Sequence, residues 1–218
     1  MRVLVGPRID LGSDGATAAL AERLAGPGGT VASLRDVGVG NLSRRLSAAE
    51  VHLLRKAMLG IDPERYAEAG KGREKSRDGV VGYICRGTGT ESRDASTGLV
   101  RLVAVADHAN LTWRSPLAGP NDDRLGPRFP SMTDVYAPEV VSDCARAGEG
   151  MIVLTGVVAG VLDDARPAAF EGEMAGAQGW AAVSSELVPV VIVAAHLGLR
   201  VAAAVVTGGR QEGGEARW

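Results

Sequence analysis

Short apolar runs rich in Val, Ile and Leu recur along this chain with helical patterns between them, and this alternation restricts its fold more than any other feature. Runs of this kind indicate buried strands. Buried strands that alternate with helices predict an α/β protein with a mostly parallel or mixed central sheet. The predicted strands are residues 2–5, 30–37, 80–85, 99–106, 150–161 and 200–208, and helical patterns include residues 16–24, 47–60 and 170–179.

The ends of two helices are marked by specific residues. Ser47 is followed three residues later by Glu50, which is the spacing of a capping box, and Gly60 fits the end of the same helix. Ser13 or Asp14 is expected to cap the earlier helix. These residues predict helix boundaries independently of the apolar pattern.

One apolar run, residues 187–195, fits two structures. It contains Pro189, which lacks the N–H that a central strand must donate but suits the first turn of a helix. The pattern therefore leaves open whether this run is a strand or the start of a helix.

Length and composition indicate one domain, residues 1–218, with residues 62–79 as a polar surface insertion. The net charge of -2 argues against a nucleic-acid partner. No apolar run is long enough to cross a membrane and the N-terminus has no signal-like segment, so we expect a cytoplasmic protein. Cys85 and Cys144 are far apart without a CxxC pattern, and neither a metal nor a cofactor is expected.

Ligands of α/β proteins collect on the loops that follow the carboxyl ends of strands. Two loops qualify here. One is "RGTGTESRDAS" at residues 86–96, and the other is the long irregular segment at residues 107–139. A long ordered loop in a compact domain usually has a function.

The second of these loops carries a specific motif, "DHANLTWRSPLAGPNDDRLGPRFPSMTDVY" at residues 107–136, and a second motif, "VPVVIVAAHLGLRV", occupies residues 188–201. Both resemble signatures of the trimeric purine nucleoside phosphorylases, in the same order and at matching distance. The resemblance covers roughly residues 47–209 and implies a three-layer α/β/α fold with a central mixed sheet. The matching loop positions are Asp107, His108, Asn110, Leu111, Pro116, Leu117, Gly119, Pro120, Asn121, Asp122, Gly126, Arg128, Phe129, Pro130, Met132, Asp134 and Tyr136.

The resemblance also implies a quaternary structure. In the family this loop crosses a subunit boundary, and the phenylalanine that corresponds to Phe129 covers the sugar bound by the neighbouring subunit. We therefore expect a homotrimer with a small-molecule substrate. The alternative is that the loop only holds a trimer together.

Several catalytic motifs of the family are replaced. The motif GRFHxYEGY, which supplies Arg and His to phosphate, has no counterpart, and NAAGG becomes "RGTGTES" at residues 86–92. The phosphate-binding serine of the family falls on Glu186, whose charge would repel phosphate.

The purine-binding motif AGPSFET is replaced too, and Asp163, Asp164 and Glu171 are the available carboxylates. The family asparagine of ITN falls at or beside Gly209, and the family's C-terminal helix has no counterpart before Trp218. The resemblance therefore implies a shortened, divergent member.

Three functions fit these observations. The first is a repurposed enzyme of specialised, natural-product metabolism that acts on a nucleoside-like metabolite without ordinary phosphorolysis, for example a hydrolase. The second is a non-catalytic ligand-binding or partner subunit, and the third is a conventional phosphorylase or hydrolase. For the first, the candidate catalytic residues are Glu186, Asp164 and Asp163, and the candidate substrate-binding residues are Arg86, Thr88, His108, Trp113, Phe129, Ser184 and Ser185.

Two of these candidates have a structural alternative. For His108 the sequence favours a structural, hydrogen-bonding role at the strand end over the role of a base. Trp113 fits either an interface or a stacking platform for a planar ligand.

Overall fold

A computed structural model describes residues 1–69, 79–90, 101–148 and 151–208. Within these ranges eight strands form one sheet in the order β2-β1-β3-β8-β5-β6-β7-β4. Neighbours are parallel except at two pairs, β8 with β5 and β7 with β4. The strands are β1 Arg2–Val5, β2 Thr30–Ser33, β3 Val80–Arg86, β4 Thr88–Gly89, β5 Arg101–Asn110, β6 Ile152–Gly160, β7 Ala182–Ser184 and β8 Arg200–Thr207.

Helices cover both faces of this sheet. In the described residues they are α1 Gly15–Ala25, α2 Ala48–Leu59, α3 Pro63–Ala69, α4 Pro138–Ala147, α5 Ala169–Ala177 and α6 Leu187–His196. One apolar cluster joins α1 and α4 to one face of the sheet, and another joins α2 and α6 to the opposite face. The three-layer α/β/α fold with a mixed sheet is therefore confirmed.

Both predicted helix caps are present. Ser47 and Glu50 form the reciprocal capping box of α2, and Gly60 ends that helix with a positive φ of 70°. Of the two candidates for α1, Asp14 is the cap, because its side chain accepts a hydrogen bond from the Thr17 backbone N–H. These local hydrogen bonds satisfy amide groups that have no partner inside the helix.

Three elements differ from the simplest sequence prediction. The run around Pro189 is helix α6, with the proline in its first turn, where its missing N–H is not needed. Strand β2 ends at Ser33, four residues before the end of the predicted run. The predicted polar insertion at residues 62–79 begins with α3, which buries Ala67, while residues 70–78 lie outside the described ranges.

The irregular segment between β5 and α4 is held by specific contacts. Asn121 donates a hydrogen bond to the Gly126 carbonyl at 3.0 Å, and its Oδ1 lies 3.1 Å from Nε2 of the buried His196. A Cβ on Gly126 would lie 1.7 Å from the carbonyl oxygen of His196, so only glycine fits there. The segment therefore packs against the end of α6. None of the helices in the described ranges is long and apolar enough to span a membrane.

Candidate active site

The curl of the sheet gathers the carboxyl ends of several strands. Strand β4 follows β3 after Gly87 alone and pairs antiparallel with β7, through Thr88 opposite Val183. This pairing brings the residues after β7 next to the ends of β1 and β3. Since β7 also pairs with the last residues of β6, the segment after β6 arrives at the same place.

Arg8, three residues after the end of β1, is the centre of the resulting site. Its two terminal nitrogens contact the two carboxylate oxygens of Asp164, each at 2.7 Å, and its Nε lies 3.0 Å from Oε1 of Glu186. Such a bidentate pair matches the planar fork of a guanidinium to a carboxylate. One arginine thus holds two carboxylates, and both of these acidic residues are only 2% exposed.

Glu186 is fixed from its other side as well. Its Oε2 accepts a hydrogen bond from the Arg86 backbone N–H at 3.3 Å, and its own backbone N–H donates to the Ser184 hydroxyl at 3.2 Å. Gly6 lies directly behind the carboxylate, because a Cβ built there would be 2.7 Å from Oε2. The carboxylate therefore receives a guanidinium and a backbone N–H, which are the donors that usually bind anions.

Asp164 is held by further hydrogen bonds. The Ser185 hydroxyl donates to its Oδ1 at 3.1 Å, and the Thr88 hydroxyl donates to its backbone carbonyl at 2.7 Å. Arg86 belongs to the same cluster, since its carbonyl accepts from Arg8 at 3.0 Å and from Ser184 at 2.8 Å. Side chains from four loops are therefore joined in one polar network.

This network forms one wall of a cleft of about 310 Å³. The opposite wall is a strap of residues 40–43, which precedes α2. The titratable groups on the cleft are Arg8, Asp163, Asp164 and Glu186, so three acidic residues face one arginine. Its charge balance favours neutral or cationic groups over anions.

Burial sets the proton affinity of the central groups. It raises the pKa of Glu186, although Arg8 acts in the opposite direction. For Arg8, burial works to lower the pKa, but the hydrogen bonds and charges of Asp164 and Glu186 outweigh it and the pKa is raised. Arg8 therefore stays charged, whereas burial favours the neutral form of Glu186.

The structure brings together most of the residues predicted from the sequence. Asp163 is exposed on the rim of the cleft, where it accepts two backbone hydrogen bonds from the turn that follows it. The residues joined by the network or lining the cleft are Glu186, Asp163, Asp164, Arg86, Thr88, Ser184 and Ser185.

Three predicted binding residues belong neither to the polar network nor to the cleft. His108 is packed against the ring of Tyr136, with 5.7 Å between ring centroids, and its buried Nδ1 has no hydrogen-bond partner in the described part of the chain. Trp113 and Phe129 are 92% and 86% exposed on the long loop, and neither of them lines the Arg8 cleft. The contact of Phe129 with the ligand of a neighbouring subunit stays a prediction.

The sequence analysis missed Arg8 and the strap that includes Asn41 and Ser43. Arg8 follows a predicted strand after Gly6 and Pro7, so the rule that ligand sites lie at strand ends could have identified it. The strap follows no strand directly, since residues 34–39 separate it from β2, and its sequence has no distinguishing motif.

A mixed sheet between two helical layers, with a polar cleft at converging strand ends, places this chain among the α/β proteins that bind ligands at that edge. The family model of the Phosphorylase superfamily matches residues 94–217, more than half of the chain. The chain therefore belongs to the phosphorylase superfamily.

Two bacterial relatives show the extent of the likeness. Purine nucleoside phosphorylase 1 of Geobacillus stearothermophilus is 37% identical over 103 residues, which are 46% of this chain and 37% of the relative. Purine nucleoside phosphorylase 1 of Bacillus subtilis is 32% identical over 124 residues, 56% of this chain and 44% of the relative. The chain thus spans roughly two-fifths of the length of these relatives.

A solved structure supports the fold. A purine nucleoside phosphorylase in complex with ribose-1-phosphate aligns with a TM-score of 0.58 and 21% identity, covering 78% of this chain and 58% of that chain. At this identity the likeness concerns the fold alone.

Proposed function

We propose that this protein acts on a nucleoside-like small molecule without using phosphate, and that the reaction is hydrolysis of the bond between sugar and base. The observation that carries this proposal is that the Arg8 guanidinium is already bound by acidic residues of the chain itself. Both Asp164 and Glu186 are bound to it, so the cationic group of the cleft is already neutralised by the chain itself.

The electrostatic cost to phosphate follows from this pairing. A phosphate in the cleft would meet two carboxylates that are both 2% exposed, at positions where solvent screens charge weakly. The donors that could bind it, the Arg8 guanidinium and the Arg86 N–H, already contact Glu186. Phosphate as nucleophile is therefore disfavoured, and water is the remaining nucleophile.

The two carboxylates suit different roles in hydrolysis. Asp164 is bound by both terminal nitrogens of Arg8 and by Ser185, so it orients the arginine. Glu186, whose pKa is raised by burial, suits a general base. It would accept a proton from water as the oxygen adds to the anomeric carbon and the C–N bond breaks. The nucleobase leaves with the electrons of the C–N bond and takes a proton from solvent, and Glu186 then returns to solvent the proton that it accepted from water.

A second cavity is available for the nucleobase of such a ligand. It has a volume of about 480 Å³ and lies beside β4, β7 and the start of α5. Gly89, Pro167 and Val183 give it an apolar lining, and Glu173 lies on it. Thr88, the chain neighbour of Gly89 in this lining, donates a hydrogen bond to the backbone carbonyl of Asp164, which lines the polar cleft.

The test is release of free base from purine nucleosides, measured by chromatography with and without phosphate. We expect release that phosphate does not increase. Glu186→Gln should reduce the rate about 100-fold or more, the usual contribution of a general base. Glu22→Gln, an exposed glutamate of α1, is the matched control and should leave the rate unchanged. Release that depends on phosphate would instead establish a conventional phosphorylase.

A non-catalytic ligand-binding or partner subunit is the second candidate. It is favoured by the extent to which Glu186 is fixed, since Arg8, Arg86 and Gly6 surround its carboxylate. In this case nucleosides would raise the melting temperature without being consumed. The same chromatographic assay would then show intact nucleoside after prolonged incubation.

The expected homotrimer is supported by the exposure of Trp113 and Phe129 on the long loop. Large apolar side chains with this exposure are typical of interfaces. Sedimentation of the wild-type chain should give three times the monomer mass, and Phe129→Ala should weaken ligand binding more than association. A monomeric wild-type chain would refute the crossing of the Phe129 loop. The cytoplasmic location and a role in specialised metabolism stay predictions.

A further inference from the structure

A second charged cleft lies at the opposite end of the sheet from the candidate active site. Its volume is about 550 Å³, and it opens beside the amino-terminal ends of β3 and β8, between α1 and α4. The registers confirm its position, because Val80 and Arg200, which both line it, are the first paired residues of β3 and β8. None of its lining residues belongs to the cleft of Arg8.

Three arginines from three different elements line this cleft. Arg23 comes from the last turn of α1, Arg146 from the last turn of α4, and Arg200 from the start of β8. Two acidic residues of α4, Glu139 and Asp143, lie on the same cleft. Among the described residues that line it, the arginines therefore outnumber the acids.

The two acidic residues do not pair with all the N–H donors of these arginines. Glu139 forms an ion pair with one terminal nitrogen of Arg200, and Nε of Arg200 is buried without a hydrogen-bond partner among the described residues. Arg23 uses only its Nε, which donates to the Ala147 carbonyl at 2.6 Å. Its two terminal nitrogens have no partner within the described part of the chain, and those two nitrogens form the edge that binds an oxyanion bidentately.

The floor of the cleft is apolar. Leu24, Val140 and Ala202 are buried side chains of α1, α4 and β8 that line it, and Val80 lies beside them. A cavity with an apolar floor and arginines around it suits a ligand with an apolar body and one anionic head. An inorganic anion would contact only the arginines and not the apolar floor.

We propose that this cleft binds a small organic anion, with the oxyanion head on Arg23 and Arg200 and the apolar body on Leu24, Val140 and Ala202. The proposal is independent of the function proposed for the Arg8 cleft. Glu139 competes with the ligand for Arg200, so this glutamate limits the affinity.

The test uses phenyl phosphate as the probe, titrated into the full chain in a calorimeter. Phenyl phosphate should bind more tightly than either inorganic phosphate or phenol, which carry only one of the two parts. Arg23→Gln should weaken binding about two- to five-fold, and Glu139→Gln should strengthen it by a similar factor, as expected for partly exposed charge pairs. Arg65→Gln, an exposed arginine of α3 that does not line the cleft, should change nothing.

The tighter binding of phenyl phosphate expected for Glu139→Gln cannot be explained by misfolding, because a misfolded protein does not bind its ligand more tightly. The proposal is overturned if phenyl phosphate does not bind, or if binding ignores both substitutions. It is also overturned if Glu186→Gln, rather than Glu139→Gln, strengthens binding, since the probe would then occupy the Arg8 cleft. That last result would also count against the phosphate-independent function, whereas failure of the second cleft alone leaves it untouched.

Discussion

Replacing Arg8 tests whether the polar network is held by charge. Arg8→Gln would remove the guanidinium that pairs with Asp164 and Glu186. Both acidic residues are only 2% exposed in the wild-type structure. Removing one partner of a buried ion pair typically costs about 3–5 kcal/mol. The Arg8 side chain is 38% exposed, which lets water replace part of the interaction, so we expect a loss of about 3 kcal/mol at pH 8.

The pH dependence distinguishes a charge effect from a packing effect. The folded-state pKa of Glu186 is already raised above its unfolded value, so the folded state binds more protons and its stability falls as pH rises through that window. Without Arg8 the pKa of Glu186 rises further, and the pH range over which the stability falls becomes wider. The loss caused by Arg8→Gln should therefore be smaller at pH 5, where Glu186 is protonated at lower cost.

Urea unfolding at pH 5 and pH 8 measures both effects. Adding Glu186→Gln to Arg8→Gln should recover at least about 1 kcal/mol at pH 8, because the second substitution removes an unpaired buried charge. Arg65→Gln is the control and should stay within about 0.5 kcal/mol of wild type. Equal losses at both pH values, with no recovery in the double variant, would refute an ionic network.

Three further predictions concern the frame that positions the site, and each is checked by urea unfolding. Gly126→Ala should lose at least about 3 kcal/mol, because its Cβ would overlap the carbonyl oxygen of His196, whereas Gly176→Ala, with nothing within 4 Å, should gain about 0.5–1 kcal/mol in its helix. Ser47→Ala should lose about 1 kcal/mol through the capping box of α2. Thr88→Val should lose about 1 kcal/mol by leaving a carbonyl of the network without its donor.

Local sequence chemistry predicted the parts of this fold that depend on neighbouring residues. The capping box at Ser47 and the end of α2 at Gly60 follow from interactions within four residues, and the structure has both. The strand at residues 2–5 follows from a short β-branched run, which the structure also has. Conversely, the run at residues 187–195 could not be assigned by its apolar pattern, since a fully buried helix and a buried strand both lack polar positions.

The site required information that no local pattern contains. Arg8 and Asp164 are 156 residues apart in the chain, so their contact depends on the long-range packing of the fold. Glu186 was identified because it replaces a serine in the resemblance, but its partner was not. The sequence therefore named these two carboxylates as candidates, while only the fold identifies the cation that neutralises them.

The contact between Gly6 and Glu186 has a consequence for how such a site can change over generations. A side chain at position 6 would collide with Oε2 of Glu186, at 2.7 Å for the first carbon alone. A lineage that has acquired the glutamate can therefore accept alanine at position 6 only if the Glu186 carboxylate moves away from its donors. A shorter residue at 186 removes this contact and leaves the one with Cys85, whose Cβ would lie 3.2 Å from the new carbon. Two positions that are far apart in the gene thus restrict each other's substitutions.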